Sequence, residues 1–336
     1  MNDPWPRIAV VGAGAVGCYF GGMLARGGHD VTLWAHEADV VESVNATHEN
    51  QRFLRGVRLH AGVRAVEDLT QAARGAELVF LVAPSHVLRT VVRGAAPAIA
   101  PGAVIVVATK GIERGSLAMM TEIAAEELPG RPVVALSGPS FAAEVAARQP
   151  TAVVAASRDG EAASRAQVAL SSDSFRVYTS DDVVGAEMGG ALKNVIAVAT
   201  GIAEGLGLGF NPRAALITRG LAEITRLGVA LGASPLTFMG LAGMGDLVLT
   251  CTGALSRNRA VGLDIGKGGT LADVLAGRET VAEGVVTTQS AHALAQREGI
   301  EMPIVAAVHR TLFEDQAPRS AIATLMTREL RAERDA

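Results

Sequence analysis

The chain has 336 residues, which favours two domains over one, and its formal net charge of −4 argues against non-specific nucleic-acid binding. Hydrophobic residues make up 49% and aromatic residues 4%, so aliphatic side chains are expected to form the cores. Two cysteines are too few for a disulfide framework, and the lack of a leader and of an uncharged apolar run of about 18 residues predicts a cytoplasmic protein without an integral membrane segment.

A glycine-rich turn follows the first predicted strand, Arg7–Val11, and opens an apolar helix. In the motif Gly12-Ala-Gly14-Ala-Val-Gly17, the first glycine permits the turn and the second lets the backbone approach a pyrophosphate. The third glycine allows close packing of helix on strand. A GxGxxG motif placed between a strand and a helix predicts a dinucleotide at the helix N-terminus. The alternative is a glycine turn in another α/β fold.

The second predicted strand, Asp30–Trp34, is followed by Ala35 and His36. NAD-specific sites usually place Asp or Glu at this point to bind the ribose hydroxyls. Here the acidic residue, Glu37, comes one position later, and His36 could stack on adenine or face a 2′-phosphate. A surface histidine in a loop fits the local sequence equally well. The sequence therefore leaves NADPH and NADH both open.

Further β-rich runs alternate with helical segments up to about residue 182 and predict strands over residues 78–82, 104–108, 133–136, 152–156 and 175–178. Continuous apolar runs of this kind indicate a parallel sheet buried on both faces. We therefore predict a Rossmann-type, doubly wound α/β domain over residues 1–182. Ligands of such sheets lie beyond the carboxyl ends of the strands, which places Ser85, Lys110 and residues 137–140 on one rim. Ser85 is expected to cap a helix.

After residue 182 the β pattern ends, and the sequence predicts an all-α domain over residues 183–336. Helical patterns cover residues 183–204, 213–231, 271–276, 287–298 and 303–313. The chain thus combines a dinucleotide-binding domain with a helical substrate domain.

Only three of the 30 basic residues are lysines: Lys110, Lys193 and Lys267. Arginine cannot release its proton at a workable pH, whereas a desolvated lysine can. Lys110 ends the apolar run 103–109, and Lys193 interrupts a helix of small apolar residues. A cation in such surroundings is costly unless it is paired or used, so Lys110 and Lys193 are candidates for proton transfer.

Polar residues of the second half are concentrated in three places: Lys193 with Asn194, Asp246 with Thr250, and Ser256 with Arg257, Asn258 and Arg259. The i, i+4 spacing puts Asp246 and Thr250 on one helical face, and Ser256 suits a helix N-cap. Together the three groups suit proton transfer beside an anionic substrate. The structural alternative is that Asp246 caps a helix, Lys193 forms a buried ion pair with it, and Arg257 is solvated.

Several motifs resemble bacterial NAD(P)-dependent glycerol-3-phosphate dehydrogenase over nearly the whole chain. They include Thr109-Lys-Gly-Ile-Glu113, Ser137-Gly-Pro-Ser-Phe-Ala142, Ala191-Leu-Lys-Asn-Val-Ile196, Ser256-Arg-Asn258 and the thirteen-residue segment Gly240-Leu-Ala-Gly-Met-Gly-Asp-Leu-Val-Leu-Thr-Cys-Thr252. The last is the most specific. The resemblance implies reduction of dihydroxyacetone phosphate to sn-glycerol 3-phosphate with NADPH or NADH. The product would supply phospholipid synthesis, and the enzyme is expected to be a homodimer.

The resemblance also implies a role for each site residue. Lys193 would be the general acid, Asp246 would hold it, and Lys110 would bind substrate and stabilise developing negative charge. The implied substrate-binding residues are Lys110, Gly138, Ser140, Asn194, Thr250, Ser256, Arg257 and Asn258, with Arg257 as the phosphate contact. The implied cofactor-binding residues are Gly12, Gly14, Ala15, Val16, Gly17, His36, Lys110, Ala142, Arg257, Val281 and Glu283. No metal ion is expected.

The sequence departs from the family pattern in two places. Residues 50–55 read Asn-Gln-Arg-Phe-Leu-Arg where the family often has Asn-x-x-Tyr-Leu-Pro, and Ala15-Val16 replace a hydroxyl and a bulkier side chain. Residues 12–34 are also similar to ketopantoate reductase. The competing functions are therefore a reductase of another small 2-oxo acid, such as ketopantoate, and a dinucleotide-binding sensor without turnover.

Overall fold

The computed structural model describes residues 6–276, 282–330 and 332–333. The first half forms one eight-stranded sheet in the order β3-β2-β1-β4-β5-β6-β7-β8. The strands are β1 (Arg7–Val11), β2 (Asp30–Trp34), β3 (Val63–Val66), β4 (Leu78–Leu81), β5 (Val104–Val107), β6 (Val133–Ser137), β7 (Thr151–Ala156) and β8 (Phe175–Ser180). The order of the first six strands is that of a doubly wound dinucleotide fold, as predicted.

The sheet is not wholly parallel, which corrects the prediction. β1 to β6 are parallel, but β7 runs antiparallel to β6, with Ser137 opposite Val154. The connection between them contains only the five-residue helix α6 (Ala142–Ala146) and does not lead the chain back to the start of β6. β7 therefore begins at the end of the sheet where β6 finishes. β8 then pairs with β7 in parallel.

Helices cover both faces of the sheet: α1 (Ala15–Arg26), α2 (Ala38–Thr47), α3 (Leu69–Ala73), α4 (Leu88–Ala95), α5 (Met120–Glu127), α6 and α7 (Gly160–Leu170). Alternate residues of β1 enter opposite cores, because Ile8 and Val10 pack on one face and Ala9 and Val11 on the other. Burial on both faces explains why the strands read as continuous apolar runs.

All regular elements among the described residues of the second half are helices. It contains α8 (Val183–Gly205), α9 (Phe210–Ala230), α10 (Pro235–Phe238), α11 (Asp246–Thr252), α12 (Arg257–Gly266), α13 (Leu271–Ala276), α14 (Glu283–Glu298), α15 (Pro303–Phe313) and α16 (Pro318–Met326). The predicted combination of a Rossmann-type sheet and a helical second half is confirmed. α8 is buried along most of its length and packs against α9, α11, α12 and α14.

Glycines allow α12 to approach α8 unusually closely. A Cβ added at Gly201 or at Gly262 would lie 2.1 Å from a carbonyl oxygen of the facing helix, and Gly205 and Gly266 show the same contact at 2.3 Å. Backbones at this separation leave no room for a side chain between them. The crossing brings the first residues of α12 next to the middle of α8.

One helical stretch, Pro235–Thr252, is long and apolar enough to cross a membrane by length and composition alone, with a mean hydropathy of 1.2. It is three consecutive elements: α10, a π-helical turn over Leu241–Gly245, and α11. Its Asp246 is buried against lysines from two other elements. These contacts make the stretch an integral part of the packed helical half.

Candidate active site

One buried carboxylate bridges two lysine side chains where the sheet meets the helical half. Asp246, at 1% exposure, accepts a hydrogen bond from Lys193 Nζ at Oδ1 and one from Lys110 Nζ at Oδ2, both at 2.5 Å. Lys193 is 8% exposed and also donates to Thr250 Oγ1 at 2.9 Å. Lys110 also donates to the Gly138 carbonyl oxygen at 3.2 Å. The two lysines with apolar sequence neighbours therefore meet at a single acid.

The electrostatics of this cluster suit proton transfer by Lys193. Burial lowers the pKa of Lys193 to about 8; Asp246 opposes the shift and Lys110 adds to it. Burial alone would raise the pKa of Asp246, but the two ammonium groups outweigh burial and hold that pKa below its ordinary value. At neutral pH the Asp246 carboxylate is charged and Lys193 is protonated. The pKa of Lys193 is close enough to neutral pH for the ammonium group to release its proton.

The local fold aims Asp246 at the lysines. Asp246 is the first residue of α11, and the cap position is Gly245, so the expectation that Asp246 caps a helix is wrong. The buried Lys193–Asp246 ion pair of the same structural alternative is confirmed. The preceding turn needs glycine at Gly243, because a Cβ there would lie 2.2 Å from the Phe238 carbonyl oxygen. Thr250 lies one turn later on the same face and donates its hydroxyl proton to the Asp246 carbonyl oxygen at 2.6 Å.

A chain of amides connects α8, α12 and α14 beside the lysines. Asn258 donates through Nδ2 to Asn194 Oδ1 at 2.8 Å, and its Oδ1 accepts the Gly284 N–H at 2.9 Å. Ser256 caps α12, as expected, by accepting the Arg259 N–H at 3.2 Å. These bonds fix the start of α12 and its free backbone N–H groups relative to α8.

Arg257, the first residue of α12, is exposed, and its guanidinium makes no hydrogen bond within the described part of the chain. It lies at a helix N-terminus, where the helix dipole also favours an anion. A guanidinium binds phosphate through two parallel hydrogen bonds. The position therefore suits the predicted phosphate contact.

The turn after β6 faces the same cluster. Gly138 has φ +138°, and a Cβ there would lie 2.9 Å from the Val153 Cα, so only glycine fits. Ser140 donates to the Gly138 carbonyl oxygen at 3.2 Å, the oxygen that also accepts from Lys110. Ala142 begins α6 directly behind this turn. Gly138 and Ser140 thus lie on the rim together with Lys110.

The glycine-rich loop fits a dinucleotide pyrophosphate. Gly12 has φ +120°, and a Cβ on Gly17 would lie 1.8 Å from the Gly12 carbonyl oxygen, so both positions are closed to side chains by the protein itself. At Gly14, in contrast, a Cβ would meet nothing within 4 Å. α1 begins at Ala15 without a side-chain cap, which leaves the N–H groups of Ala15 and Val16 available to an anion.

His36, predicted on the adenine side, lies on the surface. His36 is exposed just beyond β2, with its ring centroid 6.4 Å from that of Trp34. Val281 lies outside the described residues. The described parts of the chain contain no group of three or more His, Cys, Asp or Glu side chains arranged to hold a metal ion.

Sequence profiles of two families cover almost the whole chain. NAD-dependent glycerol-3-phosphate dehydrogenase N-terminus matches residues 7–163, and NAD-dependent glycerol-3-phosphate dehydrogenase C-terminus matches residues 182–323. The chain belongs to the NAD-dependent glycerol-3-phosphate dehydrogenase family. It is therefore an oxidoreductase that uses NAD(H) or NADP(H), and the resemblance, the enzyme class and the cofactors inferred from the sequence are confirmed.

Similar proteins match this chain over nearly the whole length of both sequences. The chain is 56% identical to "Glycerol-3-phosphate dehydrogenase [NAD(P)+]" of Geobacter sulfurreducens, with 98% of this chain and 99% of that protein covered. The Myxococcus xanthus protein of the same name is 51% identical, with 97% and 98% covered. The crystal structure of glycerol-3-phosphate dehydrogenase from Coxiella burnetii has a TM-score of 0.94 at 41% identity, covering 97% of this chain and all of that one.

A ketopantoate reductase family structure from Ralstonia eutropha is also similar, with a TM-score of 0.61 at 19% identity, covering 94% of this chain and 99% of that chain. At this identity the likeness shows a shared fold only. The sequence resemblance of residues 12–34 to ketopantoate reductase is thus accompanied by a shared fold.

Ser85 does not cap a helix in this dehydrogenase, which corrects the prediction. It is the first residue of a short 3-10 helix, Ser85–Val87, with Pro84 at the cap position. Its N–H and hydroxyl both donate to the carboxylate of Glu283, at 3.1 and 2.5 Å. The hydroxyl is engaged by the helical half and is not available to its own helix. Glu283, a predicted cofactor-side residue, thus also ties the two halves together.

The sequence analysis missed the role of Asn50. This side chain is completely buried; its Nδ2 donates to the Ala13 carbonyl oxygen of the glycine-rich loop at 2.7 Å, and its Oδ1 accepts the Phe53 N–H at 2.8 Å. The departure from the family pattern at residues 50–55 therefore lies in a turn that supports the dinucleotide loop. The asparagine retained at the start of that motif was the available signal.

Proposed function

We propose that this dehydrogenase reduces dihydroxyacetone phosphate to sn-glycerol 3-phosphate, reversibly, with NADPH or NADH. The observation that carries the proposal is the Asp246 carboxylate bridging Lys193 and Lys110 on the rim that also holds the glycine-rich loop. The bound nicotinamide supplies the hydride. The product would enter glycerophospholipid synthesis.

Lys193 is the general acid in this proposal. An ammonium group has three N–H donors, and Lys193 uses two of them on Asp246 and Thr250, which leaves one for the substrate carbonyl oxygen. Lys193 gives its proton to that oxygen during reduction and removes it during oxidation. Asp246 holds Nζ in place and favours its charged form, so the lysine stays protonated despite its burial.

Lys110 stabilises the transition state in this proposal. Two of its donors go to Asp246 and the Gly138 carbonyl oxygen, and the third is available to the substrate. A fixed positive charge beside the carbonyl stabilises the negative charge that develops on oxygen as the carbonyl bond breaks. Because Lys110 is already held by Asp246, little reorganisation is needed in the reaction.

The substrate and cofactor sites follow from the same rim. Arg257 binds the phosphate at the N-terminus of α12, and the remaining substrate contacts come from Gly138, Ser140, Asn194, Thr250, Ser256 and Asn258. The residues that hold the dinucleotide are Gly12, Gly14, Ala15, Val16, Gly17, His36, Lys110, Ala142, Arg257, Val281 and Glu283. The end of β8 at Ser180 and the start of α8 at Val183 support a domain boundary at residues 182–183.

One assay tests the proposed substrate. NADPH oxidation is followed with dihydroxyacetone phosphate and, separately, with ketopantoate; turnover only with ketopantoate would contradict the proposal, and absence of turnover with both would favour a sensor.

A substitution tests the proposed phosphate contact. Arg257→Ala should raise KM for dihydroxyacetone phosphate about tenfold to a hundredfold, since a charge-assisted phosphate contact is lost. Lys267→Ala, at an exposed cation elsewhere, is the control. An unchanged KM in Arg257→Ala would remove Arg257 from the phosphate site.

The cytoplasmic location, expected from the sequence, and the homodimer, expected from the resemblance, stay predictions. Cell fractionation tests the first, and sedimentation of the purified protein tests the second. A membrane-bound fraction or a monomer would contradict them.

A further inference from the structure

Glu187 of the helical half reaches into the nucleotide-binding half, as Asp246 and Glu283 also do. Glu187, on α8, accepts the backbone N–H of Thr121 at 2.9 Å and also accepts the Thr121 hydroxyl. Thr121 is the second residue of α5, so Glu187 satisfies a free N–H group at the start of that helix. The contact joins residues 66 positions apart.

The loop between β5 and α5 leads from Lys110 to this contact. Its ends are paired by a bridge between Ile112 and Met119. Both side chains are buried, at 1% and 6% exposure, and both pack in the apolar core of the helical half together with Met188 and Leu192 of α8. The loop therefore belongs by sequence to the sheet domain and by packing to the helical half.

We propose that Glu187 is a positioning residue, which holds the start of α5 on α8 and so keeps Lys110 against Asp246 and Lys193. The proposal rests on the proposed function, in which those three side chains perform the chemistry. Glu187 lies six residues before Lys193 on the same helix, about 9 Å along its axis. The same helix, α8, thus carries both Lys193, the general acid, and Glu187, which anchors the loop that contains Lys110.

Because Lys110 is charged, a change in its position changes the pKa of Lys193. Lys110 lowers the pKa of Lys193, whereas Asp246 and, to a smaller extent, Cys251 raise it. If the loop loosens, Lys110 withdraws, and Asp246 is left to Lys193 alone. Both changes raise the pKa of Lys193. A substitution that merely destabilised the fold would not move this pKa.

The principal test compares substitutions of Thr121 and Glu187, the two residues that join the start of α5 to α8. Thr121→Val removes the hydroxyl donor, and Thr121→Ser restores it. Glu187→Gln removes the charge. The matched control is Glu122→Gln, since Glu122 accepts the Met119 N–H at 2.7 Å at the same helix start but within its own segment. Assays run at pH 8, where Glu187 is charged, because burial raises its pKa to about 7.

We expect Thr121→Val and Glu187→Gln to lower kcat for dihydroxyacetone phosphate about tenfold. The basic limb of the kcat profile should move up by about one pH unit. Thr121→Ser and Glu122→Gln should behave like the wild type. Losses no larger than that of Glu122→Gln, or a basic limb that stays in place, would overturn the proposal.

A second measurement does not depend on turnover. Because the chain contains only three lysines, the rate of reductive methylation of each can be followed by peptide mass spectrometry, with exposed Lys267 as the internal standard. Lys110 should react several-fold faster in Thr121→Val than in the wild type, and no faster in Glu122→Gln. An unchanged rate at Lys110 would overturn the positioning role even if dihydroxyacetone phosphate is not the substrate. Lack of turnover by the wild type would instead contradict the proposed function.

Discussion

Two glycines of this dehydrogenase, one in each half, serve opposite purposes. At Gly14, in the sheet half, a Cβ would meet nothing within 4 Å, which suits a loop whose backbone approaches a ligand. At Gly262, in the helical half, a Cβ would lie 2.1 Å from the Val198 carbonyl oxygen, because another helix already fills the space. The same residue type thus keeps one site open and closes the other.

This difference distinguishes an open loop from a tightly packed helix crossing. The sheet half presents backbone N–H groups around an open space, which suits a large cofactor that must enter and leave. The helical half fixes Lys193, Asn194 and the start of α12 through close backbone packing, which suits groups that must not move during proton transfer. Substitutions in the two halves should therefore have different consequences.

The largest effect is expected from removing the acid of the helical half. Lys193→Ala should lower kcat about 10²- to 10⁴-fold, the usual contribution of general acid–base catalysis, with NADPH affinity unchanged. Lys193→Arg keeps the charge but hampers proton release and should be nearly as slow. Steady-state kinetics and a fluorescence titration with NADPH measure the two effects. Substantial turnover by either variant would remove Lys193 from the acid role.

A smaller effect is expected from filling the helix crossing. Gly262→Ala places a methyl group against the backbone of α8 and should lower the free energy of unfolding by about 1–3 kcal/mol, the usual cost of overpacking. Urea denaturation measures it. Gly160→Ala is the control, because a Cβ there meets nothing within 4 Å. Equal stability of the two variants would show that the crossing tolerates a side chain.

The smallest effect on the protein itself is expected at the open loop. Gly14→Ala should leave the free energy of unfolding unchanged, since the new Cβ meets no protein atom, yet weaken NADPH binding about tenfold by crowding the pyrophosphate. Gly102→Ala, also in open space, should affect neither quantity. Undiminished NADPH affinity in Gly14→Ala would mean that the space beside the loop is not used by the cofactor.

Local patterns predicted seven of the eight strands and the rim, but missed β3, where Arg64 interrupts the short apolar run. Apolar runs ending in glycine, such as Arg7–Val11 before Gly12, predicted the strands, and the rule for parallel sheets placed Ser85, Lys110 and Gly138 together. Lys193 stood out because it interrupts an apolar helix. The i, i+4 spacing correctly put Asp246 and Thr250 on one face.

Apart from the anticipated Lys193–Asp246 pair, long-range pairings were not predictable in this way. The bond of Lys110 to Asp246 joins residues 136 positions apart, and that of Ser85 to Glu283 joins residues 198 apart. Sequence periodicity specifies which face of an element is buried but not which partner it meets. The direction of β7 was missed for a related reason: its apolar run reads the same in either direction along the sheet.

The central claim is that Lys193 exchanges a proton with the substrate and has a pKa of about 8. The pH dependence of kcat, measured in both directions with the wild-type enzyme, tests it most directly. Reduction needs the ammonium form, so its rate should fall above pH 8; oxidation needs the neutral amine, so its rate should rise through pH 8. Parallel profiles in the two directions, or no ionisation between about pH 7 and 9, would contradict the account.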